Sequence, residues 1–353
     1  RLLPLAGVAV TTLGACGPGL DSLAPYGIGG TVTGLTGTLV LQNNGADNLS
    51  LSTNGSFKFS KELASNATYS VTVLNQPIGQ FCTVISGSDT ATAEVTTVSV
   101  QCTWTGTKQL GELQGDTYGR SVATDASGNV FVAGYTTGAL DGNPREGSSD
   151  LFVTKYSSSG VKRLTVQLGG LNAAGVAAAT EGLAVAIGAG GNVYVVGYTN
   201  GALVGIAPVG SQDFFIAKFD NDLSPLNRAI VQVGVPGAFT VGRSVAVDAC
   251  GNVYVTGDTT GNLSNSTLLG ANRSDFFVTK FDSNLANPFI VQLGVADNTS
   301  VVGNSITTDA SCNFVYVAGS TTGALPGATQ AGDSDFFVAK FDNNLNRLGI
   351  AQL

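Results

Sequence analysis

The sequence contains no histidine, and only 11% of its residues are charged. Without histidine the chain cannot form a Ser-His-Asp triad, a histidine general base or a histidine metal site. It also has no Cys-x-x-Cys pair, no phosphate-binding Gly-Lys-Ser/Thr loop and no Gly-x-Ser-x-Gly nucleophile elbow. These absences exclude most of the familiar catalytic and nucleotide-binding sites.

Positive charge is also scarce. Lysine and arginine number 16 against 24 aspartates and glutamates, which gives a formal net charge of −8. Phosphate backbones are bound by clustered lysine and arginine, so we expect no nucleic-acid partner. Helical periodicity has little support, whereas 48 glycines among many Ser, Thr, Asn and Val residues are typical of β folds with tight turns.

From Tyr118 onward the chain repeats one pattern four times. Each copy has a turn that contains Asn, a Val-Tyr/Phe-Val strand, the motif Gly-x-Thr-x-Gly-x-Leu and the motif Asp-Phe-Phe-Val-x-Lys. In the last motif, Leu replaces the first Phe in the first copy, and Ile replaces Val in the second. The Asp of the last word falls at 150, 213, 275 and 335, so the period is about 60 residues. A repeat of this length indicates one supersecondary unit that buries its faces against its neighbours.

Each copy contains four short runs with strand character, separated by Gly, Asn, Asp or Ser. In the third copy these runs are Ser244–Val247, Asn252–Thr256, Asp275–Phe281 and Pro288–Leu293. Four antiparallel strands repeated radially form β-propeller blades, and a single copy is short for a separate sandwich domain. We therefore predict a β-propeller over 104–353, with blades at about 118–169, 180–234, 242–294 and 303–353.

Two stretches of the third copy, Asp248–Gly257 and Asp275–Lys280, resemble the bacterial β-propeller repeat called SBBP. The resemblance extends from about 109 to 353. It implies a secreted or surface-exposed propeller and says almost nothing about a ligand. The chain has four complete units, fewer than a full ring of that family.

The ends of the array leave its closure open. Thr107–Gly111 (Thr-Lys-Gln-Leu-Gly) resembles the last strand of the first blade, Thr165–Gly169, and predicts a surplus strand ahead of the blades. Three alternatives follow: a small four-bladed ring, part of a larger propeller, or an open propeller with exposed edges. Unpaired edges are templates for association with another molecule.

A different β segment precedes the propeller at 27–103. It contains seven predicted strands: Gly30–Thr33, Gly37–Gln42, Leu49–Leu51, Ser56–Phe59, Tyr69–Val73, Phe81–Val84 and Thr97–Gln101. This number of short alternating strands predicts an Ig-like β-sandwich. The words Asn54–Phe59 and Val98–Cys102 also resemble the Ig-like repeats of large secreted bacterial surface proteins, which implies a spacer or display role.

Four of the five cysteines suggest disulfides. Cys82 and Cys102 lie in neighbouring strands of the predicted sandwich, and we expect them to be bonded. Cys250 and Cys312 occupy nearly the same turn in consecutive blades. The sequence leaves two alternatives open for this second pair, a disulfide between blades and two free thiols.

Residues 1–26 combine an initial Arg with a short apolar run that ends at Cys16. Leu13–Cys16 resembles the bacterial lipoprotein box, which implies a signal segment and lipidation of Cys16. The alternative is a retained apolar strand that completes the sheet of a neighbouring subunit.

Paired carboxylates such as Asp220 and Asp222 would be required for a carbohydrate-active enzyme that works without histidine. Asp220 recurs as Asp282 and Asp342, so we interpret it as a turn cap. The same turns lack the further ligands of a calcium loop, and we predict no metal. The recurring spacing from Asp275 to Lys280 favours a polar bond between blades over a ring of ligands.

The sequence therefore predicts an all-β, non-enzymatic extracellular or cell-surface protein with a structural or adhesive role and no cofactor. The alternatives are a filament subunit joined through its N-terminal segment or blade edges, and a carboxylate-dependent carbohydrate-active enzyme. Expected partners are a second copy, other surface components, or a glycan or protein ligand. Membrane contact is expected only through a lipid anchor.

Overall fold

A computed structural model describes residues 25–224, 228–263, 273–295 and 299–353. The chain divides into two compact units, the first ending at Thr105 and the second spanning Gly106–Leu353. The predicted signal or retained strand, including Cys16, lies outside the described residues.

The first unit contains two four-stranded sheets with the orders β4-β1-β8-β6 and β3-β2-β5-β7. Its strands are β1 (Ile28–Thr33), β2 (Leu39–Asn43), β3 (Asp47–Leu51), β4 (Gly55–Lys58), β5 (Thr68–Asn75), β6 (Gln80–Ile85), β7 (Ser88–Thr90) and β8 (Val95–Trp104). All seven predicted strands are present. Sequence analysis missed β7, whose three residues are all exposed and therefore show no alternation.

Both sheets contribute to one hydrophobic core. Val98 and Val100 come from the first sheet, and Leu41 and Val71 come from the second. Alternate residues of β2 and β5 are buried, as expected for strands with one face toward a core. Strand β1 pairs with β4 in antiparallel fashion and with β8 in parallel fashion. The unit is thus a small two-layer β-sandwich.

The second unit contains four sheets of four antiparallel strands, each formed from consecutive strands. Blade 1 comprises β9 (Thr117–Thr124), β10 (Val130–Thr136), β11 (Asp150–Tyr156) and β12 (Lys162–Leu168). A small hairpin, β13 (Gly170–Leu171) and β14 (Ala177–Ala178), follows it. Blade 2 comprises β15 (Thr180–Ile187), β16 (Val193–Thr199), β17 (Asp213–Phe219) and β18 (Ala229–Val233).

The other two blades have the same order. Blade 3 comprises β19 (Thr240–Val247), β20 (Val253–Thr259), β21 (Asp275–Phe281) and β22 (Phe289–Leu293). Blade 4 comprises β23 (Val301–Thr308), β24 (Phe314–Thr321), β25 (Asp335–Asp342) and β26 (Arg347–Gln352). The prediction of four-stranded units is confirmed.

A glycine in the second strand of each blade allows a close approach of two backbones. A Cβ added at Gly257 would lie 1.8 Å from the carbonyl oxygen of Val241, and one at Gly134 would lie 1.9 Å from that of Tyr118. The register of the first strand shifts beside the third-blade glycine, between Gly242 and Ser244. The bulge therefore explains the first Gly of Gly-x-Thr-x-Gly-x-Leu.

Consecutive blades pack face to face through aromatic side chains. We call the side of a blade that points toward the next blade in the chain its forward face, and the opposite side its rear face. Phe214 on the forward face of blade 2 stacks on Phe277 of blade 3, with ring centroids 5.1 Å apart. Phe276 of blade 3 contacts Phe337 of blade 4 at 5.0 Å. One contact is thus repeated along the array.

Two expectations about closure differ from the structure. Residues 107–111 form no strand, because β12 and β26 already occupy the outer position in the first and last blades. The forward face of blade 4 is uncovered, with Phe336 54% and Val338 38% exposed. Among the described residues no blade covers that face, which excludes the compact four-bladed ring for this structure.

Candidate functional site

The aspartate that begins the third strand of each blade binds its own blade. In blade 1, Asp150 is fully buried. Its carboxylate accepts hydrogen bonds from the backbone N–H of Gly147 (2.7 Å) and Glu146 (2.9 Å) and from Nε2 of Gln167 (2.8 Å). A buried carboxylate needs such donors, so the hydrogen bonds within the blade are enough to explain why an aspartate recurs at this position.

The glutamine that bonds to this aspartate, Gln167 in blade 1, also hydrogen-bonds to the Gly-x-Thr-x-Gly-x-Leu motif. Gln167 Oε1 accepts from the backbone N–H of Leu140 at 2.9 Å, and its Nε2 donates to the carbonyl of Gly138 at 2.9 Å. A Cβ at Gly169 would lie 1.8 Å from Asp150 Oδ1, which explains the glycine after Gln-Leu. The same Asp–Gln bond recurs in the other three blades as Asp213–Gln232, Asp275–Gln292 and Asp335–Gln352.

The repeated threonine is bonded as well. Thr136 Oγ accepts from the backbone N–H of Gly138 at 3.0 Å and lies 3.1 Å from the hydroxyl of Thr117 on the first strand. Thr, Gly, Leu, Gln and Asp therefore form one hydrogen-bond network inside each blade. Because these motif residues hydrogen-bond to one another within their blade, a structural role for the repeat is favoured.

The repeated lysine reaches from each of the first three blades to the next. Its Nζ donates to oxygens in the turn between the third and fourth strands of the following blade: Lys155 to Asn221 (2.7 Å) and Asp222 (3.0 Å), Lys218 to Asn284 (3.1 Å) and Lys280 to the carbonyl of Asn343 (2.8 Å). The lysine thus makes the expected polar bond between blades. The paired aspartate does not take part, because it is bonded within its own blade.

The turn carboxylates act as caps. Asp282 Oδ1 accepts from the backbone N–H of Asn284 (2.8 Å) and Ala286 (3.0 Å), and these bonds hold the pKa of Asp282 below its ordinary value. Asp220 accepts from the backbone N–H of Ser224 at 2.8 Å. Asp222 pairs with Lys155. The carboxylates considered for catalysis and calcium therefore have structural partners.

Both cysteine pairs are disulfides. Cys82 and Cys102 are directly opposite each other on β6 and β8, with Cα atoms 3.9 Å apart. Cys250 and Cys312 join the turns of blades 3 and 4, with Cα atoms 6.1 Å apart. Of the two alternatives left by the sequence for the second pair, the structure has the bridge.

Asp248 lies beside the second disulfide, and these three residues are close enough to suggest a metal cluster. The two sulfurs are bonded to each other, so only the carboxylate could serve as a ligand. That carboxylate already accepts from the backbone N–H of Asn252 (2.8 Å) and the hydroxyl of Tyr254 (3.2 Å). This arrangement does not fit a metal site.

Sequence analysis missed an aromatic cluster between blades 1 and 2. The rings of Tyr118 and Tyr135 lie 4.9 Å apart, and Arg120 donates to the Tyr135 hydroxyl at 3.1 Å. Burial, followed by the nearby Glu181 carboxylate, raises the pKa of Tyr198 in the same cluster. One signal was available in the residue that follows the second-strand glycine. It is tyrosine in blades 1 and 2 (Tyr135 and Tyr198), Asp258 in blade 3 and Ser320 in blade 4. Such variation is typical of a position that the fold does not restrict.

The comparison with protein families concerns the second unit. Three segments match the Beta-propeller repeat, SBBP. They are residues 106–140, 230–264 and 289–326. The second and third segments each run from the outer strand of one blade through the first two strands of the next, so the repeat crosses the blade boundary. No curated protein matches the chain. Among the described residues, no helix is long and apolar enough to cross a membrane.

Proposed function

We propose that the protein is a non-enzymatic structural or adhesive protein of the bacterial cell surface or extracellular space. One observation carries this proposal. In all four blades the repeated Asp is hydrogen-bonded to the repeated Gln of the same blade. Residues that recur because the fold needs them are not a set of catalytic groups, and propeller repeats of this kind serve as scaffolds for interaction.

Export is supported by the two disulfides, since such bonds persist in oxidising compartments. The two-layer sandwich ahead of the blades supports an Ig-like spacer. Lipidation of Cys16 would anchor this spacer to the membrane and leave the propeller available for binding. No other contact with a membrane is part of the proposal.

The aromatic cluster of Tyr118, Arg120 and Tyr135 supports a binding role. Tyr118 is 46% exposed, and tyrosine and arginine are the residue types enriched where proteins bind partners. A glycan or a protein loop would find a ring face and guanidinium donors there. The net charge of −8 makes nucleic acid an unsuitable partner.

Surface labelling tests the proposed location. Intact cells that express the full chain would be treated with a membrane-impermeant amine reagent, beside cells that express Cys16→Ser. We expect labelling of the native chain on cells and release of the variant into the medium. A chain that is protected from the reagent and carries free thiols at Cys82 and Cys102 would contradict the proposal.

A glycan screen tests the non-enzymatic character and the binding role together. Binding to arrayed glycans without turnover, weakened by Tyr118→Ala, is the expected result. Hydrolysis that is lost in Asp222→Asn would instead establish the carboxylate enzyme.

A filament subunit is the second candidate, and the uncovered forward face of blade 4 favours it. Apolar surface of this kind is found where proteins associate. Negative-stain microscopy of the purified protein should show extended particles if the candidate is correct, and single compact particles if it is wrong.

A further inference from the structure

The disulfide between Cys250 and Cys312 occupies a turn that every blade contains. This turn joins the first and second strands, and its fourth residue has a left-handed backbone conformation. That residue is glycine in blades 1 to 3 and cysteine in blade 4: Gly128 (φ 76°), Gly191 (φ 79°), Gly251 (φ 87°) and Cys312 (φ 59°). A side chain strains the backbone at such a φ, so the turn itself favours glycine. The cysteine at 312 therefore points to a role for its sulfur.

Cys250 is the third residue of the same turn in blade 3. This position is exposed in all four blades, as Ser127, Gly190, Cys250 and Ser311. The exposure of Cys250 therefore follows from its place in the turn and not from the ends of the array. Cys312, in contrast, is buried, with 8% of its surface exposed. The bond thus joins a residue at the surface to a residue inside the protein.

The disulfide of the first unit has no such asymmetry. Cys82 is 2% exposed and Cys102 is 5% exposed, and the two lie directly opposite each other on β6 and β8. A thiolate must reach a sulfur before it can exchange with a disulfide, so access decides which bond reacts. Of the two bonds, the one at Cys250 is the one that a dissolved thiol can reach while the protein is folded.

The two turns do not depend on the disulfide for their conformation. The backbone N–H of Cys250 donates to Asp248 Oδ1 at 3.0 Å, and that of Asn313 donates to Asp309 Oδ1 at 2.9 Å. The aromatic contact and the lysine bond that join blades 3 and 4 are likewise independent of it. Opening of the bond should therefore leave both turns in place, with the two sulfurs close enough to bond again.

We propose that Cys250 is a site of reversible modification by small thiols in the folded protein. The attacking thiolate forms a mixed disulfide with Cys250 Sγ, and the electron pair of the broken bond leaves on Cys312 Sγ, which takes a proton from water. The reverse attack by the Cys312 thiolate expels the small thiol and restores the original bond without another oxidant. A second small thiolate instead releases the small thiol as its disulfide and leaves both cysteines reduced. This inference does not depend on the surface location or on any ligand of the propeller.

Partial reduction tests which bond opens. Folded Cys16→Ser protein would be incubated with 2-mercaptoethanol, its free thiols trapped with N-ethylmaleimide, and its peptides mapped by mass spectrometry. We expect Cys250–Cys312 to open at least about tenfold faster than Cys82–Cys102, with an unchanged circular dichroism spectrum. Equal rates for the two bonds, or opening that accelerates in urea in parallel with unfolding, would overturn the proposal.

Two variants in the same background test which sulfur takes the thiol. Cys312→Gly leaves Cys250 unpaired and restores the glycine of blades 1 to 3, whereas Cys250→Ser leaves Cys312 unpaired and restores the serine of blades 1 and 4. Because the repeat already uses these residues at these positions, both variants should fold. With hydroxyethyl disulfide, Cys312→Gly should gain one adduct by intact mass at least about tenfold faster than Cys250→Ser. Equal rates, or a faster reaction of Cys250→Ser, would show that Cys250 is not the exchange site.

Discussion

Replacement of Gln167 by leucine should destabilise the propeller unit selectively. The variant removes the hydrogen bonds to Asp150 (2.8 Å), the Gly138 carbonyl (2.9 Å) and the Leu140 N–H (2.9 Å). Each buried polar group that loses its partner costs about 1–3 kcal/mol, and the leucine side chain recovers part of this by apolar burial. We expect a loss of about 3–5 kcal/mol in the free energy of unfolding.

The two units offer separate optical signals for this measurement. The single tryptophan, Trp104, lies in the first unit, so its fluorescence reports the sandwich, while circular dichroism reports both units. In urea, Gln167→Leu should shift the circular dichroism transition and leave the fluorescence transition unchanged. Gln109→Leu is the control, because Gln109 is exposed in the same unit.

Gln167→Glu extends the test to charge. The glutamate keeps an acceptor for Leu140 but places a second carboxylate against Asp150. At neutral pH one of the two groups must bind a proton or both must remain charged in contact, so this variant should gain stability as the pH falls. Equal stability of Gln167→Leu and the native chain, or a glutamate variant insensitive to pH, would refute the proposed role of the network.

Three further outcomes are expected. Cys82→Ala should destabilise the sandwich by about 2–5 kcal/mol, and non-reducing peptide mapping should find Cys82 joined to Cys102; free thiols in protein from an oxidising compartment would contradict this. Gly257→Ala should lower the thermal midpoint, because its Cβ would meet a carbonyl at 1.8 Å, whereas Gly349→Ala has nothing within 4 Å and should leave it unchanged; equal shifts would count against the bulge argument. Because the pKa of Asp282 is held below its ordinary value, its carboxylate stabilises the folded state above that ordinary pKa, and this stabilisation is lost as the pH falls below about 4. Asp282→Asn should therefore lose less stability than the native chain in acid, as measured by urea unfolding. An equal loss in the two proteins would reject this.

The sequence alone determined where the strands lie and how often they repeat. Strand periodicity, turn residues and the Asp-Phe-Phe-Val-x-Lys word are local signals, and they correctly predicted four four-stranded units and the seven longer strands of the sandwich. The surplus strand at Thr107–Gly111 shows the limit of the same signals. A strand word forms a strand only where a partner edge is available.

The tertiary structure alone decided what the repeated polar residues do. Asp150 meets Gln167 across 17 positions, and Lys155 meets Asn221 across 66, because blade packing brings distant turns together. Sequence spacing shows that such residues recur, but it does not show which partner each one faces. The exposure of Phe336 likewise depends on the packing of blades and not on the local sequence. The sequence around Phe336 matches that of the buried copies, and only the number and arrangement of neighbouring blades leave it exposed to solvent.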